Sequence, residues 1–129
     1  MKTNKTHLFY LRTRYNKGPG VNRSPVGCVA WQWDGNTVKY SVSVCAPQDD
    51  FDKSKARKIT QARLDAKSVR VLNNEMKNNF DVLSSIMTSL SNDKKVARSA
   101  VECANLWLEF VNSNKFLPEN KVKLFIQVA

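Results

Sequence analysis

Apolar and polar positions alternate on both sides of Asp34-Gly35-Asn36, with Val29, Trp31 and Trp33 before it and Val38, Tyr40, Val42 and Val44 after it. A period of two marks strands, and a glycine-containing pair between two such runs marks a β-hairpin. Asp34-Gly35 and Gly35-Asn36 both fit a two-residue loop, and either register gathers these apolar residues on one face. The opposite face carries Cys28, Ala30, Gln32, Lys39, Ser41, Ser43 and Cys45. That mostly polar set predicts an antiparallel sheet backed by helices on one side. A further strand is predicted over 6–15, centred on Leu8-Phe9-Tyr10-Leu11, with a long loop over 16–25.

Between Pro47 and Pro118 the chain has neither glycine nor proline, which predicts a helical stretch. A first helix over about 50–67 has Asp49 or Asp50 as its cap and a sparse apolar set of Phe51, Ala56, Ile59, Ala62 and Leu64. A second helix, about 68–90, is patterned by Leu72, Met76, Phe80, Leu83, Ile86, Met87 and Leu90 at spacings of three and four. Ser91-Asn92-Asp93 reads as a turn. A third helix, about 94–112, carries the stripe Val96, Ala100, Cys103, Ala104, Trp107, Phe110 and Val111. In the tail, Val122, Leu124, Ile126 and Val128 alternate and favour a strand over the short helix that Pro118-Glu119 would open. The expected fold class is therefore α+β, a small antiparallel sheet packed by three helices. It occupies one domain over 1–129, with a β-rich part at 6–45, a helical part at 49–112 and a tail at 113–129.

Composition changes this picture in one respect. Twenty-one Lys and Arg face 11 Asp and Glu, a formal net charge of +10. Such an imbalance says little about fold and much about attraction to polyanions. No secretory leader or membrane-length apolar run is visible, and three cysteines do not make a disulfide framework. A reducing cytoplasm is the expected location, with no membrane partner.

The parts of an enzyme are missing from the pattern. His7 is the only histidine, and no serine or cysteine stands in a nucleophile motif beside it. Cys28, Cys45 and Cys103 lack zinc-ligand spacing. Asp49, Asp50 and Asp52 cluster at a helix N-terminus, where negative charge is favoured for structural reasons alone. Gly18-Pro19-Gly20 lacks the Lys-Ser/Thr ending of a phosphate-binding loop. A binding protein without cofactor or metal, rather than an enzyme, is expected.

The positive charge is concentrated in two stretches. Residues 1–33 hold Lys2, Lys5, Arg12, Arg14, Lys17 and Arg23 and no acid. The first predicted helix and its junction hold Lys53, Lys55, Arg57, Lys58, Arg63, Lys67 and Arg70 against Asp52 and Asp65. Lys53 and Arg57 are four apart, as are Arg63 and Lys67, with Arg70 three later, so these side chains repel one another unless an anion neutralises them. Arg12, Arg14, Lys17, Arg23, Lys53, Arg57, Lys58, Arg63, Lys67 and Arg70 are the candidate contacts to an acidic partner, either DNA or RNA or an acidic protein face. A solvated surface with no target explains the same pattern about as well. Sequence-specific reading of DNA is disfavoured by the absence of a helix-turn-helix signal. Trp31, Trp33 and Tyr40 share a face with valines, which marks them as core rather than as base-stacking residues.

The segment Cys45-Ala46-Pro47-Gln48-Asp49-Asp50-Phe51-Asp52-Lys53, continuing through Ala56-Arg57-Lys58-Ile59 and Ala62-Arg63-Leu64, resembles a pattern in small phage-encoded accessory proteins. The strand Gly27-Cys28-Val29-Ala30 fits the same pattern, which spans residues 26–64 and carries no catalytic residues. In size, basicity and Asn/Lys-rich composition the whole chain resembles the small RNA-polymerase-binding proteins of T-even bacteriophages. The resemblance implies an early phage protein that binds host RNA polymerase in the host cytoplasm and modulates transcription. Non-specific binding of DNA or RNA, and inhibition of a bacterial defence enzyme, are the alternatives.

Overall fold

The computed structural model describes residues 5–12, 25–44, 52–66, 69–73, 76–113 and 126–128. Three strands form a meander: β1 (His7–Leu11), β2 (Gly27–Asp34) and β3 (Thr37–Val44). Asp34 pairs with Thr37, so the hairpin loop is Gly35-Asn36. Gly35 has φ +61° while Asn36 stays negative, and a two-residue loop that needs a positive φ only at its first position suits glycine there. At the other end of β2, a Cβ on Gly27 would sit 2.5 Å from the Ser43 carbonyl oxygen. Only glycine lets the two backbones approach so closely there.

After β3, helix α1 (Lys53–Leu64) leads to β4 (Arg70–Leu72), and helices α2 (Asn79–Ser91) and α3 (Arg98–Ser113) lead to β5 (Gln127–Val128). The sheet order is β4-β3-β2-β1-β5, and every pairing is antiparallel. The α+β class, the hairpin, the terminal strand and the three helices agree with the pattern of the sequence.

The two faces of the sheet are both covered. Val29, Trp31, Val38 and Tyr40, with Phe9, Leu11 and Leu72, pack against α2 and α3 through Val82, Leu83, Ile86, Met87, Leu90, Ala100, Cys103, Ala104 and Trp107. The opposite face, expected to be left to solvent, is covered by α1. Leu8, Tyr10, Cys28 and Ala30 form a second cluster with Ala56 and Leu64, and Gln32, Ser41 and Ser43 are buried beside it. The small residues Ala30, Ser41 and Ser43 let the helix lie close; Ser43 Oγ has no hydrogen-bond partner among the described residues, but Ser41 and Gln32 have theirs. Ser41 Oγ donates to the Thr60 carbonyl at 2.8 Å. Gln32 Nε2 donates to Thr6 Oγ1 at 2.7 Å, and Thr6 Oγ1 in turn donates to Gln61 Oε1 at 3.0 Å. A buried polar group with its partner in place costs little.

Four boundaries differ from expectation. The cap of α1 is Asp52, whose side chain accepts from the Lys55 amide at 3.1 Å; Asp49 and Asp50 lie outside the described residues. The helix expected over 68–90 begins only at Asn79, because Arg70-Val71-Leu72 is a strand on the outer edge of β3. Leu72, Met76 and Phe80, four apart, imitate a helical stripe, yet Val69 and Val71 are β-branched, and pairing with β3 wins. Asn78 then caps α2, its side chain accepting from the Asp81 amide at 2.9 Å. The third helix starts at Arg98 rather than 94, with Asp93 accepting from the Lys95 amide at 2.8 Å in the turn before it. The strand centred on Phe9 is described from His7 to Leu11, and the 16–25 loop lies outside the described residues except for Pro25.

Asn79, the first residue of α2, ties that helix to the sheet. Its Oδ1 accepts from the indole N–H of both Trp31 and Trp33 at 3.1 Å, and its Nδ2 lies 3.4 Å from His7 Nδ1. The His7 ring stacks on Trp31, centroids 5.8 Å apart. Burial, with help from the charge of Lys5, lowers the His7 pKa from 6.5. The neutral imidazole is therefore the form the fold prefers. The unfolded chain binds this proton more readily than the native one, so stability is fully present above pH 6.5 and falls as pH drops through the lowered native value. Urea unfolding from neutral pH down to about pH 5 should show that loss, and His7→Gln should remove this part of the slope. An identical slope in the variant would contradict the assignment.

Candidate docking surface

Helix α1 has five cations, Lys53, Lys55, Arg57, Lys58 and Arg63, and no acid between its caps. Its inward stripe is narrow, with Ala56, Thr60 and Leu64 buried at intervals of four. At 100° per residue the remaining positions are set by that stripe. Lys55 and Lys58 stand on the crest away from the sheet, and both are exposed. Arg57 and Arg63 flank the stripe on opposite sides, one leaning over β1 and the other toward the edge of β3.

The contacts agree with this placement. Arg57 Nε donates to the Tyr10 hydroxyl at 2.9 Å, and Lys53 Nζ lies over the Tyr10 ring, 5.0 Å from its centroid. Tyr10, itself buried on β1, thus receives two cations in different ways, one through its oxygen and one through its π face. Their mutual repulsion at the i,i+4 spacing, a few tenths of a kcal/mol, is offset by this shared anchor. On the other flank the Arg63 guanidinium donates to the Val42 carbonyl. That carbonyl faces the β4 side of β3, as the groups of Tyr40 do, and β4 leaves it without a ladder partner because it pairs with β3 only at Val38, Lys39 and Tyr40. The result is a basic band that crosses α1 from the β1 side to the β3 edge. Among the described residues, Lys53, Lys55, Lys58 and Arg63 have no carboxylate within salt-bridge distance.

Of the ten candidate residues, Lys53, Arg57, Lys58 and Arg63 come together on α1. Arg12 follows β1 directly, two residues beyond Tyr10. Arg14, Lys17, Arg23 and Lys67 lie outside the described residues. Arg70 does not join the band. It sits in β4 with its side chain on the α2/α3 side of the sheet, where Nη1 lies 3.1 Å from Asp93 Oδ2 as an ion pair without hydrogen-bond alignment. The spacing 63, 67, 70 placed it on the helix only as long as the helix was taken to continue. Lys55 belongs to the band although it is not among the ten; its place three residues before Lys58 is the signal that finds it. Tyr10 as the common anchor has no local sequence signal, since only the packing of α1 on β1 brings it there.

The other candidate chemistry is quiet. Cys28 and Cys103 are free and buried. Burial pushes the Cys28 thiol up to about 12 and the Cys103 thiol to about 11, which leaves both protonated at neutral pH and poor nucleophiles. Cys45 lies outside the described residues. No group of three or more His, Cys, Asp or Glu able to hold a metal occurs among the described residues, and none of their helices is long and apolar enough to cross a membrane. Trp31 is fully buried, Tyr40 nearly so, and Trp33 is partly buried against the same core, so these rings present no open platform for stacked bases. No family model, curated protein or solved structure matches the chain.

Proposed function

We propose that the chain is a phage-encoded accessory protein that binds host RNA polymerase through the basic band on α1 and thereby modulates transcription. The observation that carries the docking surface is that Lys53, Lys55, Lys58 and Arg63 stand exposed on α1 with no carboxylate within salt-bridge distance among the described residues. Their long-range field would speed and orient encounter with an acidic surface, and Arg57 and Arg63, held by Tyr10 and Val42, are pre-organised contacts. The polymerase as partner rests on the whole-chain resemblance in size, basicity and Asn/Lys-rich composition, and the phage origin also on the pattern over residues 26–64. The burial of the hairpin aromatics favours a protein partner over single-stranded nucleic acid.

Direct, non-specific binding to DNA or RNA is the second reading, favoured by the net charge of +10. Capture from bacterial lysate with and without nuclease separates the two. Polymerase subunits retained after digestion support direct protein contact. Capture lost with the nucleic acid supports the second reading, in which five neutralised phosphates give a log–log salt slope of about −4.5.

A further inference from the structure

A cleft of about 460 Å³ opens where β4 stops short along β3. Its floor is the outer edge of β3 from Ser41 to Val44, and its walls come from the end of α1, the start of β4 and the 95–97 segment before α3. Before β4 the Val69 amide donates to the Ala66 carbonyl at 3.3 Å, and the pairing of β4 with β3 goes no further along β3 than Tyr40. The Val42 carbonyl faces the cleft, as its bond to Arg63 demonstrates. In an antiparallel strand the N–H and C=O of one residue point to the same side, and residues two apart repeat that direction. The backbone groups of Val42 and Val44 therefore point into the cleft. The described side chains that line it include three cations, Arg63, Arg70 and Lys95, and no acid; Arg70 is already paired with Asp93.

We propose that this cleft is a strand-addition site for an extended acidic peptide segment of a partner protein. The segment pairs its backbone with Val42 and Val44, and its carboxylates meet Arg63 and Lys95. An open strand edge supplies main-chain hydrogen bonds, and flanking pockets choose the side chains. Four residues of edge at about 3.4 Å each give room for three or four residues of guest strand. An unprotected edge is a hazard that proteins commonly blunt with charge. Here Arg63 and Lys95 deter a second basic copy of this chain and favour an acidic guest. The proposal deepens the reading of a protein partner, adding a backbone-mediated contact beside the charged band.

The test uses the ¹⁵N-labelled full chain and an alternating Glu/Val octapeptide, compared with the same peptide N-methylated at every second residue. Methylation keeps the charge and removes backbone donors. Expected are amide shifts at Val42, Val44 and 95–97, and at least tenfold weaker half-saturation for the methylated peptide. Equal binding of the two peptides, shifts confined to Lys55 and Lys58, or no shift at millimolar peptide would each overturn the proposal. A Val42→Pro variant, which deletes an outward N–H at an edge position that can accommodate proline, should bind the unmethylated peptide at least tenfold more weakly; unchanged binding would also overturn it. The methylated-peptide comparison stands on the wild-type chain should that variant fold poorly. Polymerase capture is scored separately. If wild type captures no polymerase but binds the peptide, the polymerase reading fails and the cleft stands. If wild type captures polymerase and binds neither peptide, the cleft fails and the polymerase reading stands.

Discussion

The double reversal Lys55→Glu/Lys58→Glu is expected to weaken binding to the acidic partner by on the order of 30-fold while leaving thermal stability nearly unchanged. Both side chains stand on the crest of α1, exposed and without a side-chain partner among the described residues, so their replacement removes no packing. Each reversal turns an attraction into a repulsion, and the loss should fall mainly on the association rate and shrink at high salt. Affinity measured against purified polymerase at low and high salt, alongside a melting curve, checks this. Arg57 and Arg63 are less clean targets, because their bonds to Tyr10 and Val42 also hold the helix to the sheet. Their reversal mixes binding with stability.

Trp31→Ala should be the most damaging single change to the fold, costing about 3–5 kcal/mol. That is a large share of the roughly 5–15 kcal/mol that holds a domain of this kind together. Trp31 is fully buried at the centre of the sheet, stacks with His7 and donates to Asn79. Its loss opens a cavity under α2 and weakens the joint between that helix and the sheet. Trp107 gives the contrast. It is equally buried and packs beside Phe80 at 6.1 Å, but its indole N–H has no partner among the described residues. Trp107→Phe therefore gives up volume without breaking a hydrogen bond and should cost only about 1–2 kcal/mol. Urea unfolding with constant m values would establish the order of the two. A Trp31→Ala chain as stable as wild type would mean that the core is centred elsewhere.

The elements legible in the sequence were those with a strong internal period. The hairpin around Gly35 and the Ala100–Trp107 stripe of α3 carry their periodicity in consecutive residues, and the structure follows them. The placement of α1 was not legible for a physical reason. Its contact stripe is Ala56, Thr60 and Leu64, and the face it covers is built from Cys28, Ala30, Ser41 and Ser43. Small and weakly polar residues signal exposure by composition, although they permit close packing when their hydrogen bonds are met inside. β4 was hidden by a coincidence of spacing among Leu72, Met76 and Phe80, and with it Arg70 was assigned to the wrong element.

The basic band was legible because its cations are neighbours in the chain and the helix that carries them is real. The cleft was not, because the edge of β3, the end of α1 and the 95–97 segment meet only through tertiary structure. A site assembled from three distant stretches leaves no local signature. The resemblance segment gives the converse case. Its 52–64 part lies on α1 and bears the band, while 45–51 lies outside the described residues.

Lysine footprinting by mass spectrometry, with the protein free and then bound to purified RNA polymerase, tests most directly whether α1 meets the partner. Lys53, Lys55 and Lys58 should lose reactivity in the complex, while Lys77, exposed just before α2, keeps its own. Full reactivity of the three α1 lysines in a formed complex would contradict docking through this helix.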